Sequence, residues 1–85
     1  MVLYTKGGDN LPTIEKIIEK MHRQPNGIRP EEVDKVLRAY HYEGVRQKGS
    51  HKQYLNRDTG DVVTIQQQNP VKKPYITDVL NRIGE

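Results

Sequence analysis

RQKGSHKQY, residues Arg46 to Tyr54, is the segment of this 85-residue chain that decides its fold. Gly49-Ser50 at its centre predicts a tight turn, because glycine adopts the positive φ angles that such turns require. We therefore expect a β-strand on each side of the turn. The first strand is predicted over Tyr42–Gln47 and the second over His51–Asn56.

A third strand follows these two along the chain. Asp58-Thr59-Gly60 is typical of a hairpin turn, and Asp61–Gln67 after it is rich in β-branched residues. Gly44 is a candidate β-bulge position in the first strand. Side chains alternate between the faces of a strand, so His51 and Tyr54 should point to opposite faces. If Tyr54 packs in the core, His51 faces solvent or a ligand.

Three helices are predicted around this sheet, and each begins at a proline. Pro12, Pro30 and Pro74 suit the first helical positions, where an N–H group has no helical partner. An apolar residue then recurs every three or four positions, which is typical of a helix with one buried face. The three apolar stripes are Ile14, Ile17, Ile18 and Met21; Val33, Val36, Leu37 and Tyr40; and Ile76, Val79, Leu80 and Ile83. The first helix is expected over Pro12–Arg23, and His41 should end the second because histidine tolerates a left-handed conformation.

The predicted order of elements is helix, helix, three strands, helix. Strands bracketed by helices in this way predict an α+β domain, with a three-stranded antiparallel sheet packed on helices. Eighty-five residues are enough for one domain. We expect residues 1–11 to be a flexible lead-in and residues 12–85 to form that single domain.

The composition limits the class of protein. Apolar residues make up 33% of the chain, with no Phe or Trp, so the core must be small and a protein partner would add stability. The net charge of +3 suits a polyanion or an acidic partner but is too mild to decide between them. The absence of cysteine excludes a disulfide scaffold. The sequence has no apolar run of membrane-spanning length and no signal sequence, so we expect a cytoplasmic protein that does not contact a membrane.

In several segments the sequence resembles the HicA family of toxin ribonucleases from bacterial and archaeal toxin–antitoxin pairs. The resemblance runs from about Ile14 to the C-terminus. It is strongest in Arg46–His51 followed by the aromatic Tyr54. It continues in Val71–Tyr75, which leads into the last helix, and Asn26–Arg29 resembles a longer branch of the family.

The resemblance implies both a fold and an activity. The fold is like the double-stranded RNA-binding domain, helix–three strands–helix, preceded here by an extra N-terminal helix. The implied activity is metal-independent cleavage of mRNA by a toxin that a HicB-like antitoxin binds and inhibits. The family's catalytic histidine falls on His51. Many members carry a second histidine directly after it, where this chain has Lys52.

The chemistry of RNA cleavage agrees with a histidine in this role. A base removes the 2′-hydroxyl proton, the oxygen attacks the adjacent phosphate, and an acid protonates the leaving oxygen. Imidazole suits either step because its ordinary pKa is about 6.5. We therefore assign His51 the role of general base or acid, and Lys52 or Lys48 the stabilisation of negative charge. The residues expected to bind RNA are Arg46, Lys48, Gly49, Ser50, Lys52, Lys72 and Lys73.

Other hypotheses stay open at this stage. The same fold could hold RNA without cutting it, because Lys52 replaces a histidine, or it could be a protein-interaction domain that touches no nucleic acid. On either hypothesis His51 could be an ordinary exposed strand residue and the cations a solvated rim. Three scattered histidines without cysteine make a poor zinc site, so we expect no metal and no cofactor.

Overall fold

The computed structural model of the chain describes residues 13–85. The lead-in predicted over residues 1–11, and Pro12 as the first residue of a helix, lie outside this range. Within it the elements follow the predicted order of two helices, three strands and one helix. None of the helices described is both long enough and apolar enough to cross a membrane.

The three helices are α1 (Thr13–Arg23), α2 (Pro30–Ala39) and α3 (Lys73–Ile83). Their apolar stripes face inward as predicted. The buried helical residues of the core are Ile17, Ile18, Met21, Val33, Val36, Leu37, Ile76 and Val79. His41 has φ 73°, so it takes the left-handed conformation that ends α2 and turns the chain into the sheet.

The three strands form one antiparallel sheet in the order β1 (Tyr42–Lys48), β2 (His51–Asn56) and β3 (Val62–Gln66). Lys48 pairs with His51, so β1 and β2 are joined by a two-residue turn. Gly49 opens that turn with φ 61°, the glycine-first arrangement that suits the twist of a hairpin.

The helices cover one face of the sheet. α2 packs on β1 and α3 packs on β3, while α1 packs on α2 and α3. The sheet and the loops complete the core beside the helical residues, with Tyr42 of β1, Tyr54 of β2, Val63 and Ile65 of β3, and the loop residues Ile28 and Val71. The predicted α+β architecture is confirmed, and it is consistent with the fold of the double-stranded RNA-binding domain.

One partly buried ion pair joins α1 to the rest of the domain. Lys20 of α1 donates to both carboxylate oxygens of Glu32 in α2, each at 3.1 Å. Glu32 also accepts the backbone N–H of Arg29 at 2.9 Å, which satisfies an otherwise unpaired donor at the start of α2. The same carboxylate therefore caps one helix and ties a second helix to it.

Candidate active site

His51 is the first residue of β2 and lies exposed on the face of the sheet that the helices leave open. Tyr54, three residues later, is 1% exposed on the opposite face, as strand alternation predicted. Its hydroxyl donates to Asp34 of α2 at 2.8 Å. Burial and the negative carboxylate both raise the pKa of Tyr54, so the hydroxyl stays protonated. Tyr54 thus anchors the strand to the helices, and His51 is free to meet a ligand.

An open depression of about 650 Å³ surrounds the exposed side of His51. It is lined by Arg46, Lys48, Gly49, His51, Gln53 and Thr64. Strand pairing explains why these residues meet, since Lys48 lies opposite His51 and Gln53 lies between Arg46 and Thr64. Directly opposed residues share a face and approach closely. The depression is large enough for a ligand of nucleotide size.

A β-bulge in β1 decides which residues join His51. The pairing of β1 with β2 is regular up to Gly44, which lies opposite Tyr54. The next pair is Arg46 with Gln53, so Val45 is the extra residue of the bulge. Such an insertion moves every later residue of a strand to the other face. The candidate bulge at Gly44 is therefore confirmed, and it places Arg46 and Lys48 on the open face.

The two cations beside His51 are not neutralised by the described part of the chain. Within residues 13–85, neither Arg46 nor Lys48 forms an ion pair. Other basic side chains do, for example Arg57, which lies 2.7 Å from Glu43. In the part of the chain that the structure describes, the depression therefore presents uncompensated positive charge, which favours an anionic group such as phosphate.

Lys52 is not brought together with His51. It follows His51 in β2 and therefore points to the helix side of the sheet. There its Nζ lies 3.7 Å from Oδ1 of Asp34 and 5.2 Å from the centroid of the Tyr54 ring. Of the two lysines assigned the stabilisation of charge, only Lys48 lines the depression.

The remaining predicted RNA-binding residues lie outside the depression. Ser50 is exposed in the turn, and its carbonyl accepts the N–H of Gln67 at 2.6 Å. Lys72 precedes α3 and Lys73 begins it, and both are exposed. The hydrogen bond from Gln67 brings the segment that leads to these lysines beside the turn that carries His51.

Two pocket residues, Gln53 and Thr64, were missed by the sequence interpretation. The signal was present, because Gln53 is two residues from His51 and so shares its face. Thr64 could be found only from the register between β2 and β3. Both side chains are uncharged and can donate and accept hydrogen bonds, which suits contact with a base or a ribose hydroxyl.

His51 is the one imidazole in this depression, and among the described residues no carboxylate lines it. His22 lies on α1, and His41 lies 3.8 Å from Asp58 near the other end of β1. Across residues 13–85, no three histidine, aspartate or glutamate side chains are grouped so that they could hold a metal ion. The described chemistry of the depression is therefore one proton-transfer group flanked by two cations.

Comparison with known proteins gives one finding. A family model described as HicA toxin of bacterial toxin–antitoxin systems matches residues 30–84. The matched segment covers α2, the sheet and α3, and leaves out α1. It starts later than the resemblance, which extended back to Ile14. No curated protein and no solved structure matches the chain.

Proposed function

The chain belongs to the HicA toxin family of bacterial toxin–antitoxin systems, and from this membership we propose that it is a metal-independent endoribonuclease that cleaves mRNA. The observation that carries the proposal is the position of His51. It stands on the open face of the sheet with Lys48 opposite it and Arg46 in the same depression. A proton-transfer group beside two cations that form no ion pair within residues 13–85 can serve the cleavage of a phosphodiester by its own 2′-hydroxyl.

In the proposed reaction, neutral His51 takes the proton of a ribose 2′-hydroxyl. The oxygen forms a new bond to the adjacent phosphorus, and the bond from phosphorus to the 5′-oxygen of the next nucleotide breaks. One product ends in a 2′,3′-cyclic phosphate, and the leaving oxygen gains a proton from water or from protonated His51. Acid–base catalysis of this kind typically contributes about 10² to 10⁴-fold in rate.

The cations act on the phosphate. Negative charge builds up on the non-bridging oxygens as the new bond forms, and Lys48 and Arg46 lie where they can stabilise it. Arginine can hold two phosphate oxygens at once, whereas lysine acts as a point charge. Gly49 has no side chain, so a phosphate can approach the backbone of the turn closely.

A non-catalytic RNA-binding module is the second candidate. It is favoured by the presence of only one proton-transfer group, His51, among the described residues that line the depression. The same cations would then hold RNA in a salt-dependent manner without cutting it.

Membership in a toxin–antitoxin family implies an antitoxin partner. We propose that the partner is HicB-like, meets the toxin in the cytoplasm and covers the open face of the sheet. Two features support this placement. Val62 is 46% exposed on that face, opposite Leu55. The neighbouring Arg46 and Lys48 would attract acidic side chains of a partner.

The deciding experiment incubates the purified chain with end-labelled RNA in EDTA, beside His51→Ala and a matched control, His22→Ala. We expect fragments from the wild type and from His22→Ala, and intact RNA from His51→Ala. Equal cutting by wild type and His51→Ala would refute the assignment of His51. Intact RNA with every folded protein, together with a salt-sensitive gel shift, would favour the binding module.

A further inference from the structure

Lys52 holds an unusual position for a residue in the middle of the candidate motif. Its stem lies across Gly44 on the helix side, so close that a Cβ atom built on Gly44 would be 2.6 Å from Cε of Lys52. Its ammonium group lies 3.7 Å from Asp34, which also accepts hydrogen bonds from Tyr54 and Arg38. The side chain is 27% exposed, so most of its surface is used in these contacts. The side chain of Lys52 therefore connects Asp34 of α2 with Gly44, the residue at which the bulge begins.

The bulge has a large effect on the depression around His51. If the pairing of Gly44 with Tyr54 continued without it, Val45 would face Gln53 and Gln47 would face His51. Arg46 and Lys48 would then point to the helix side, because a shift of one residue exchanges the faces of a strand. Because Val45 is the extra residue of the bulge, the open face beside His51 carries Arg46 and Lys48 and not Val45 and Gln47.

We propose that Lys52 is a positioning residue that fixes this bulge and so keeps Arg46 and Lys48 on the face of His51. The proposal rests on the proposed function of that face, and it assigns Lys52 no contact with RNA. Its stem fills the space over Gly44 that a side chain at position 44 would otherwise occupy. Its ammonium group, held by Asp34, keeps the stem in that place.

The contrasting role for Lys52 is direct binding of a phosphate. Two observations separate the roles. Lys52 lies on the face opposite His51, and its charge is shared with Asp34. A direct contact would therefore require Lys52 to leave Asp34 and Gly44 together.

The first test follows strand register by NMR and needs no RNA. Cross-strand contacts between Arg46 and Gln53 report the bulged register, and contacts between Tyr54 and Val63 report that β2 and β3 are folded. In Lys52→Ala we expect the first set to weaken or broaden while the second set stays. Lys52→Arg, which keeps a long cationic stem, should restore the first set. Unchanged contacts of Arg46 in Lys52→Ala would overturn the proposal.

The second test measures affinity for a single-stranded RNA at several salt concentrations, in a His51→Ala background so that the RNA stays intact. The slope of log affinity against log salt is negative, and one lost phosphate contact lowers its magnitude by about 0.7, whereas two lower the magnitude by about 1.4. We expect Lys52→Ala to lower it by about 1.4, since both cations leave the face. In an Arg46→Ala/Lys48→Ala background, Lys52→Ala should add no further change.

The outcomes of the second test are distinct. Lys52→Ala could instead lower the magnitude of the salt slope by about 0.7, and do so again when it is added to Arg46→Ala/Lys48→Ala. That result would identify Lys52 as a direct phosphate contact and overturn its positioning role. If the chain with its cations intact binds no RNA, the proposed function fails. The NMR register still decides the role of Lys52 in that case, because it is measured on the free protein.

Discussion

Replacing Glu32 with glutamine is the sharpest test of how α1 is held to the rest of the domain. Glutamine keeps the shape of the side chain and an oxygen that can accept the Arg29 N–H. It removes the negative charge that faces Lys20, whose Nζ lies 3.1 Å from both carboxylate oxygens. It also places an amide donor beside an ammonium donor. We therefore expect Glu32→Gln to loosen the contact of α1 with α2.

The size of the effect follows from burial. Hydrogen bonds to charged groups contribute about 1.5–3 kcal/mol. The side chain of Glu32 is 11% exposed and that of Lys20 is 33% exposed, so water screens part of the attraction. A loss of about 1–2 kcal/mol in the free energy of unfolding is expected at pH 7. In a domain of this size that corresponds to a fall in Tm of roughly 4–16 °C.

The effect should depend on pH in a defined direction. Burial raises the pKa of Glu32, but the Arg29 N–H and the Lys20 ammonium outweigh it and hold the pKa below its ordinary value of 4.5. A carboxylate with a lowered pKa stabilises the fold fully above its unfolded-state pKa. The stabilisation is lost as the pH falls through the folded-state pKa. The stability difference between wild type and Glu32→Gln should therefore be constant near neutral pH and shrink below about pH 4.5.

Urea unfolding followed by circular dichroism at pH 7, 5 and 3.5 measures these differences. Glu19→Gln is the matched control, because Glu19 is 65% exposed and its partner Arg23 lies 3.7 Å away. That change should cost less than about 0.5 kcal/mol. Equal losses for the two variants, or a loss in Glu32→Gln that does not change with pH, would refute the reasoning. A single cooperative transition in the wild type would support residues 12–85 as one domain.

Two further changes probe the turn and the support behind the site. In Gly49→Ala the new Cβ meets no neighbouring atom, but the backbone has φ 61°, so strain alone should lower the free energy of unfolding by about 1–2 kcal/mol. Urea unfolding should show this loss. The control Gly27→Ala should show almost none, because the φ of Gly27 is not positive. Tyr54→Phe removes the hydroxyl that, against the effect of burial, helps lower the pKa of Asp34. The free energy of unfolding of Tyr54→Phe should fall by about 1–3 kcal/mol. The pKa of Asp34 should rise in an NMR titration of this variant. The control Tyr40→Phe should lose less stability, because the hydrogen bond from Tyr40 to Glu85 is exposed.

Local patterns predicted most of this fold. The helices follow from apolar stripes whose members must share one buried face, and His41 ends α2 through its tolerance of a left-handed backbone. His51 and Tyr54 point to opposite faces of the sheet because side chains alternate along a strand, and this can be predicted without knowing the partner strand. The ion pair of Lys20 with Glu32 could not be found in this way, because it depends on how two helices pack across twelve residues of sequence.

The composition of the candidate site shows where local patterns fail. Tyr42, Gly44, Arg46 and Lys48 alternate in sequence, so a regular strand would place both cations on the buried side with Tyr42, which is 5% exposed. A bulge at Gly44 reverses the later half of the strand, and whether a glycine forms a bulge depends on what lies across it. Here the stem of Lys52 lies there, held from α2 by Asp34. Contacts on the helix side of the sheet therefore determine which side chains join His51 on the open face. Lys52, which follows His51 directly in sequence, is therefore best placed to act on the surroundings of His51 through the backbone of β1.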